Sequence, residues 1–423
     1  MNRDEAVAYI HALGKFGSRP GLSRITSLCA ALGDPQNSLR FIHVAGTNGK
    51  GSVCAVLTSI LRAGGLRVGT YTSPYILRFN ERIAVDGQPI GDDELALLIG
   101  RVKPHADALD DQITEFELIT AAAFLYFKQK ECDVVVLEVG LGGRFDATNV
   151  INTSVLSVIT GIALDHTAIL GNTVEKIAAE KAGIIKSGVP VLYGEVSGGA
   201  AKVIESAAAE KGANAVPVDF SAIKNVSLSI DGTRFEIEGF ARPFFTPLIG
   251  EYQPRNALIS IRAAQTLNIE NEFIYEGLRN VVWKARFEVM RKDPLVIYDG
   301  AHNPHGAGAA QRTVKTLFPT VKPVLVTGMM ADKDCREVAS LFARICALAV
   351  CVKPSNPRSI DAEDLAAIYR SQGVEARGFD NMNEALSFAA AEAARRGVPI
   401  FAAGSLYMYA EFNAALDFTF GKC

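Results

Sequence analysis

The chain is short of the features that would place it in a membrane, outside the cell or on nucleic acid. A membrane-spanning helix needs about 20 consecutive apolar residues. The longest uncharged stretch, Ala147 to Leu164, is interrupted throughout by Asn, Thr, Ser and Gly and reads as strand plus loop. Excess positive charge is also missing: 43 Lys and Arg stand against 46 Asp and Glu, a formal net charge of −3, so there is no basic field to grip a phosphate backbone. Neither a membrane nor nucleic acid is an expected partner. The seven cysteines are odd in number and form no C-x-x-C pair, which argues against a disulfide framework and for free thiols in a reducing compartment. Met1-Asn-Arg-Asp-Glu lacks the apolar core of a secretory signal, so export is not expected and a cytoplasmic protein is. What is present is a hydrophobic share of 49%, far too high for a disordered chain, over 423 residues, a length that suggests two or three domains.

Short β-branched runs alternate with helical stretches, the pattern of a parallel sheet covered by helices. Phe41–Val44 reads as a strand, followed by a Gly-rich turn and a helix from about Gly51 to Arg62 that Gly64-Gly65 stops. Asp133–Val139 and Val155–Thr160 are nearly continuous apolar runs, as strands buried on both faces require. Asn172, with Glu175 three residues on, is expected to cap a helix running to about Lys186, ahead of a strand Val189–Tyr193. Between 225 and 240 the apolar residues alternate around Asp231-Gly232, which predicts a β-hairpin added antiparallel to the sheet. From Leu295 the β/α rhythm resumes, with strands at Leu295–Tyr298, Val324–Thr327, Ala347–Val352 and Ile400–Ala403. A boundary near 284–294 separates two α/β domains.

Ala45-Gly-Thr-Asn-Gly-Lys-Gly-Ser52 lies between a predicted strand and a predicted helix. That context suits phosphate: glycines admit the backbone, and amides at a helix start supply positive potential. Lys50 can reach outer phosphates and Ser52 can orient a magnesium ion. The strict G-x-x-x-x-G-K-[ST] pattern fails twice, because Val44 and Gly51 occupy its first and last positions. Glu138 stands near the carboxyl end of an apolar strand, where α/β sheets place ligands, and a buried carboxylate needs a partner such as magnesium. His166, in Ala163-Leu-Asp-His166, follows the third strand at a comparable height; alone it reads as a structural histidine, and Lys181 alone as a surface lysine.

Taken together the motifs resemble the folylpolyglutamate synthase/dihydrofolate synthase family of the Mur ligase superfamily. The resemblance rests on residues 45–52, Thr72-Ser-Pro-Tyr75 with Arg78-Phe-Asn-Glu-Arg82, Glu138 to Asn149, Leu164-Asp-His166, Glu180-Lys-Ala-Gly-Ile184 and Asp299-Gly-Ala-His-Asn-Pro304, in this order over nearly the whole chain. It implies an N-terminal P-loop-type, mostly parallel sheet domain with helices on both faces, residues 1–286, that binds ATP. A smaller C-terminal Rossmann-like α/β domain, residues 287–423, is implied as the glutamate-ligase domain. The activity implied is ATP-dependent addition of L-glutamate to a folate, with dihydropteroate as a second acceptor, through an acyl phosphate, by a monomer. Residue by residue, Gly46, Thr47, Asn48, Gly49, Lys50, Gly51 and Ser52 match the nucleotide loop, and Asn256, Arg286, Asp299 and His302 the other nucleotide contacts. Ser73, Glu138 and His166 match ligands of two magnesium ions, and Lys181 the lysine carbamylated in the superfamily, which places Lys50, His166 and Lys181 in catalytic roles. Phe116, Glu117, Phe145 and Asp146 fall on the pterin side. The sequence departs where the family has Pro-Gly before the nucleotide arginine, here Lys284-Ala285, and where it has His-Gln-x-x-Asn, here Tyr252-Gln-Pro-Arg-Asn256. Gly14–Pro20 lacks the His-Ser-Lys-Thr run of the bifunctional enzymes, which favours tetrahydrofolate over dihydropteroate. Two other readings are a Mur-type ligase acting on a UDP-sugar peptide, against which the 72–82 and 114–117 segments argue, and a nucleotide-binding protein without ligase chemistry.

Overall fold

The computed structural model describes residues 1–16, 19–196 and 198–421. The chain forms two compact units, residues 1–223 with 255–281, and residues 224–254 with 282–423. The expected helix after the Gly-rich turn spans Lys50–Ala63, and the apolar runs form the strands Phe41–Ala45, Val134–Glu138 and Ser154–Gly161.

These strands are the centre of an eight-stranded sheet in the first unit. Its order is Gln88–Pro89, Ile83–Val85, Val68–Tyr71, Val134–Glu138, Phe41–Ala45, Ser154–Gly161, Val191–Glu195 and Ala215–Pro217. The six strands from Val68–Tyr71 onward run parallel, and the two short edge strands are antiparallel. Strand pleating assigns the faces. Tyr71 Oη bonds Thr120 on the helix Glu115–Gln129, whereas its neighbour Thr70 bonds Thr58 on the helix Lys50–Ala63, so helices cover both faces. Phe41, Val135 and Leu137 share the core of the first face with Phe124 and Phe127.

The second unit holds a six-stranded sheet in the order Glu288–Lys292, Leu295–Asp299, Ile400–Ala403, Val324–Thr327, Leu348–Val352 and Ala376–Phe379. Only Glu288–Lys292 is antiparallel to its neighbour. The fold is thus α/β throughout, a mostly parallel sheet followed by a mixed one.

Two local expectations are corrected. The helix after Gly171 is capped by Thr173, not Asn172: Thr173 Oγ1 accepts from Lys176 N, while Asn172 Oδ1 accepts from the Lys176 ammonium. That helix ends at Ala182, ahead of Gly183. The hairpin does not extend the large sheet. Gly232–Ile237 pairs antiparallel with Phe244–Thr246, and with Ile223–Ser229 they make a separate three-stranded sheet. On one of its faces Phe235 stacks on its cross-strand partner Phe244 with centroids 5.6 Å apart, and both rings are buried. Among the described residues no helix is long and apolar enough to cross a membrane.

Candidate active site

The strand Phe41–Ala45 lies between Val134–Glu138 and Ser154–Gly161, with Val44 opposite Glu138 and Ala45 opposite Ile159. From it the chain passes through the helix Lys50–Ala63 to Val68–Tyr71 on one side, whereas Val134–Glu138 leads to Ser154–Gly161 on the other. The order reverses there, and open α/β sheets take ligands outside the carboxyl ends of the strands at such a switch point.

Residues 46–49 connect the carboxyl end of Phe41–Ala45 to the helix Lys50–Ala63 at that point, and two of the glycines are dictated by space. Gly46 sits at φ +153°, and a Cβ on it would lie 1.9 Å from Thr160 Oγ1. Gly49 sits at φ +86°, and its Cβ would lie 2.6 Å from Asn256 Oδ1. Thr47 N donates to Gly161 O at 2.8 Å, Thr47 Oγ1 donates to Ala163 O at 3.1 Å, and Thr160 Oγ1 donates to Asn48 O at 2.7 Å. Gly51 and Ser52 are buried in the first helical turn. Lys50 folds back over the loop, its Nζ 3.1 Å from Gly46 O and 3.3 Å from Thr47 O.

Lys181 reaches the same carbonyl from below, its Nζ donating to Gly46 O at 2.9 Å. It is not the surface lysine that its helix position suggests but a buried one. Burial first, and the Lys50 charge second, push its pKa down to about 7. Glu138 is buried at its strand end, Oε2 accepting from Ser73 N at 3.0 Å. His166 takes a left-handed backbone (φ +49°) ahead of Thr167–Leu170, and its half-exposed ring lies 3.9 Å from Asp165 Oδ1. Among the described residues no three His, Cys, Asp or Glu side chains gather into a metal-binding group. One buried carboxylate beside a phosphate loop fits magnesium, which takes one or two carboxylates and completes its shell with phosphate oxygens and water.

On the expected pterin side the four residues are placed unequally. Phe116 packs where Gly140 leaves room, since a Cβ there would lie 2.6 Å from its Cζ, and its ring is 5.9 Å from that of Tyr71. Phe145 is 51% exposed, under the Arg144 guanidinium. Glu117 is buried in an ion pair with Arg24 (3.0 Å) and also caps its own helix with Thr114. Asp146 is buried with Oδ1 accepting from Thr148 N and Oγ1 and Oδ2 from Leu141 N, and burial raises its pKa. Behind it, Thr148 Oγ1 accepts from Nε2 of the wholly buried His43 at 2.9 Å. Sequence reasoning missed Arg24, Thr160 and His43. The Thr114-x-x-Glu117 capping box of this helix has a local spacing, but a pairing 93 residues away leaves no local signal.

In the second unit Asp299 ends its strand, buried. Oδ1 accepts from Ala301 N at 2.8 Å, and Oδ2 from Phe287 N at 2.8 Å and Tyr252 Oη at 3.1 Å. Tyr252, which replaces the family's usual histidine, thus serves as a donor. Burial raises the Asp299 pKa, and Arg286 opposes the rise. Arg286 Nη1 donates to Ala285 O at 3.0 Å, and His302 Nδ1 donates to Gly300 O at 2.9 Å.

Residues 44–264 match the Mur ligase middle domain and residues 285–406 the Mur ligase glutamate ligase domain. The chain is 39% identical over 425 residues to a folylpolyglutamate synthase of Lacticaseibacillus casei, covering 96% of this chain and 97% of that one. It is 42% identical over 376 residues to a dihydrofolate synthase/folylpolyglutamate synthase of Bacillus subtilis, covering 85% and 87%. The Mycobacterium tuberculosis folylpolyglutamate synthase, solved with ADP and AMPPCP, superposes with a TM-score of 0.90 at 29% identity over the whole of both chains. Escherichia coli FolC in complex with DHPP and ADP superposes with a TM-score of 0.86 at 32% identity over 98% of each. The chain therefore carries both Mur ligase domains and belongs to the folylpolyglutamate synthase/dihydrofolate synthase family.

Proposed function

We propose that this protein is an ATP-dependent ligase that joins L-glutamate to a folate and releases ADP and phosphate. The observation that carries the reading is the convergence of the loop 46–52 and Lys181 on Gly46, beside buried Glu138, at the switch point of the first sheet. A carboxylate is inert to an amine until one of its oxygens becomes a leaving group. Transfer of the γ-phosphoryl of ATP to the substrate carboxylate forms an acyl phosphate, which the amine of glutamate attacks as phosphate departs.

In this reading the loop amides of Gly46–Ser52 cradle the phosphates and Lys50 leaves its loop carbonyls to neutralise them. Asn256, Arg286, Asp299 and His302 contact the nucleotide, with residues 1–286 forming the ATP-binding domain and residues 287–423 the glutamate-ligase domain. Ser73, Glu138 and His166 would hold two magnesium ions, which supply charge neutralisation along the phosphates. A lysine with its pKa near 7 is partly neutral amine, the form that takes up carbon dioxide, which supports carbamylation of Lys181. Lys181→Ala is expected to be nearly inactive and partly rescued by short-chain carboxylates. An unmodified amine in active enzyme prepared with ¹³C-bicarbonate, read by NMR, removes the carbamate. The exposed Phe145 ring and Phe116 offer apolar surface to a pterin, with Glu117 and Asp146 holding their segments in place.

A monomer is the proposed state, and a sedimentation mass of one chain checks it. Tetrahydrofolate is the favoured acceptor, because Gly14–Pro20 departs from the bifunctional pattern; residues 17 and 18 of that segment lie outside the described residues. The deciding assay offers dihydropteroate and tetrahydrofolate side by side with ATP, magnesium and labelled glutamate. A higher kcat/KM for tetrahydrofolate is expected. Equal values make the enzyme bifunctional, and activity with neither removes the folate reading.

A further inference from the structure

Arg286 lies between two non-glycine residues in the left-handed region, Ala285 at φ +56° and Phe287 at φ +49°. Side chains with a Cβ disfavour that conformation, and it persists only where the surroundings over-determine it. Phe287 N donates to Asp299 Oδ2 at 2.8 Å, and Gly300 N donates to Ala285 O at 2.9 Å. These two bonds tie the turn to the strand end beside it. The third restraint comes from within: Ala285, wholly buried, donates its N–H to Glu288 Oε2 at 2.7 Å. Tyr409 Oη donates to the same oxygen at 2.9 Å, and the buried Tyr409 ring meets Tyr298 edge-on at 4.9 Å. The Glu288 carboxylate is therefore aimed at the strained turn by a phenol that has little freedom to move.

We propose that Glu288, steadied by Tyr409, is a positioning residue that holds the Ala285–Phe287 backbone in its left-handed form and so presents the Arg286 guanidinium to the nucleotide phosphates. The proposal rests on the nucleotide role assigned above to Arg286. Without Glu288 the turn relaxes toward commoner conformations, only a fraction of molecules presents Arg286, and the apparent nucleotide affinity falls by that fraction. Steps after binding are unaffected, so the effect belongs in KM for ATP and not in kcat.

The test uses the full chain and five variants, with melting curves to establish folding, KM and kcat from the ligase assay, and ADP affinity by calorimetry. Arg286→Ala is expected to weaken ADP. Glu288→Gln retains a side-chain carbonyl that accepts from Ala285 N and Tyr409, and should stay within about threefold of wild type. Glu288→Ala should raise both KM for ATP and Kd for ADP about tenfold, with kcat within about twofold. Adding Ala285→Gly should recover about fivefold of that loss, because glycine enters the left-handed region freely. A weakened Arg286→Ala beside an unchanged, folded Glu288→Ala overturns the positioning role alone. An unchanged Arg286→Ala overturns the nucleotide assignment, and the positioning role with it. A loss confined to kcat, or no recovery with Ala285→Gly, also overturns the proposal. Should Glu288→Ala not fold, Tyr409→Phe carries the test, and an unchanged KM for ATP there overturns it.

Discussion

Lys50 and Lys181 donate to one carbonyl oxygen, that of Gly46, at 3.1 and 2.9 Å. Two ammonium groups so placed repel each other, and the buried one yields. The hydrogen bonds of Lys50 go to loop carbonyls, so Lys50→Ala should melt within a few degrees of wild type while kcat/KM falls at least about 100-fold. A folded Lys50→Ala protein with wild-type turnover would refute the phosphate-loop assignment. His43 carries a second prediction. It is fully buried, and burial, reinforced by Lys186, pushes its pKa down to about 3. An unfolded histidine titrates near 6.5, so between about pH 6.5 and 3 the unfolded chain binds the extra proton and stability falls as pH falls, by at most about 1.4 kcal/mol per pH unit. Above pH 6.5 both states are neutral and the contribution vanishes. Denaturant melts of His43→Gln, compared with wild type from pH 7 to 4, should show a shallower loss. Parallel curves would contradict it. Glu138 and Lys50 were legible as candidates because strand ends and glycine turns have local signatures. Burial of Lys181 was not, since the sequence of its helix says nothing of what packs on it.

At the scale of elements, the phosphate loop depends on a helix pair. Gly277 in Asn271–Asn280 lies so close to Lys50–Ala63 that a Cβ would approach the Ile60 Cα to 2.4 Å, and Ser59 Oγ donates to Gly277 O at 2.7 Å. Gly277→Val should therefore cost about 1–3 kcal/mol through overpacking and push the helix that begins at Lys50. Chemical denaturation with an ADP titration checks both, and a variant as stable as wild type would show the contact to be compliant. The helix Lys50–Ala63 was readable from its flanking glycines. The cap at Thr173 was not, because Asn172 and Thr173 are both good caps and only the backbone path decides between them. The hairpin was likewise legible as a hairpin but not in its pairing, because alternation gives a strand a face without naming the sheet it joins.

For the whole molecule, the expectation is that nucleotide binding stabilises by mass action. A non-hydrolysable ATP analogue with magnesium at about 100 times its Kd should add about 2.7 kcal/mol of stability. Differential scanning calorimetry would register the rise in wild type and its loss in Lys50→Ala. A rise of the same size in both would place the nucleotide elsewhere. The α/β architecture itself was legible along the chain, as was the restart of the β/α rhythm at Leu295. The discontinuous make-up of the second unit, which takes residues 224–254 as well as 282–423, was not.

What the sequence determined alone are the features whose causes are local. Continuous apolar runs made buried parallel strands, Gly46 and Gly49 marked a backbone turn that side chains would block, and the order of the motifs identified the family. What only the tertiary structure decided are partnerships across long separations. Thr160 and Asn256 set the steric need for those glycines, Gly46 O receives Lys181 from 135 residues away, and Arg24 neutralises Glu117. Such pairs follow from which strands the crossovers bring together, and a chain read one window at a time carries no record of that. The left-handed Ala285, where the family uses glycine, belongs to the same class, because Asp299 and Gly300 at a neighbouring strand end tie its turn and Tyr409, 121 residues on, holds the Glu288 carboxylate that binds it.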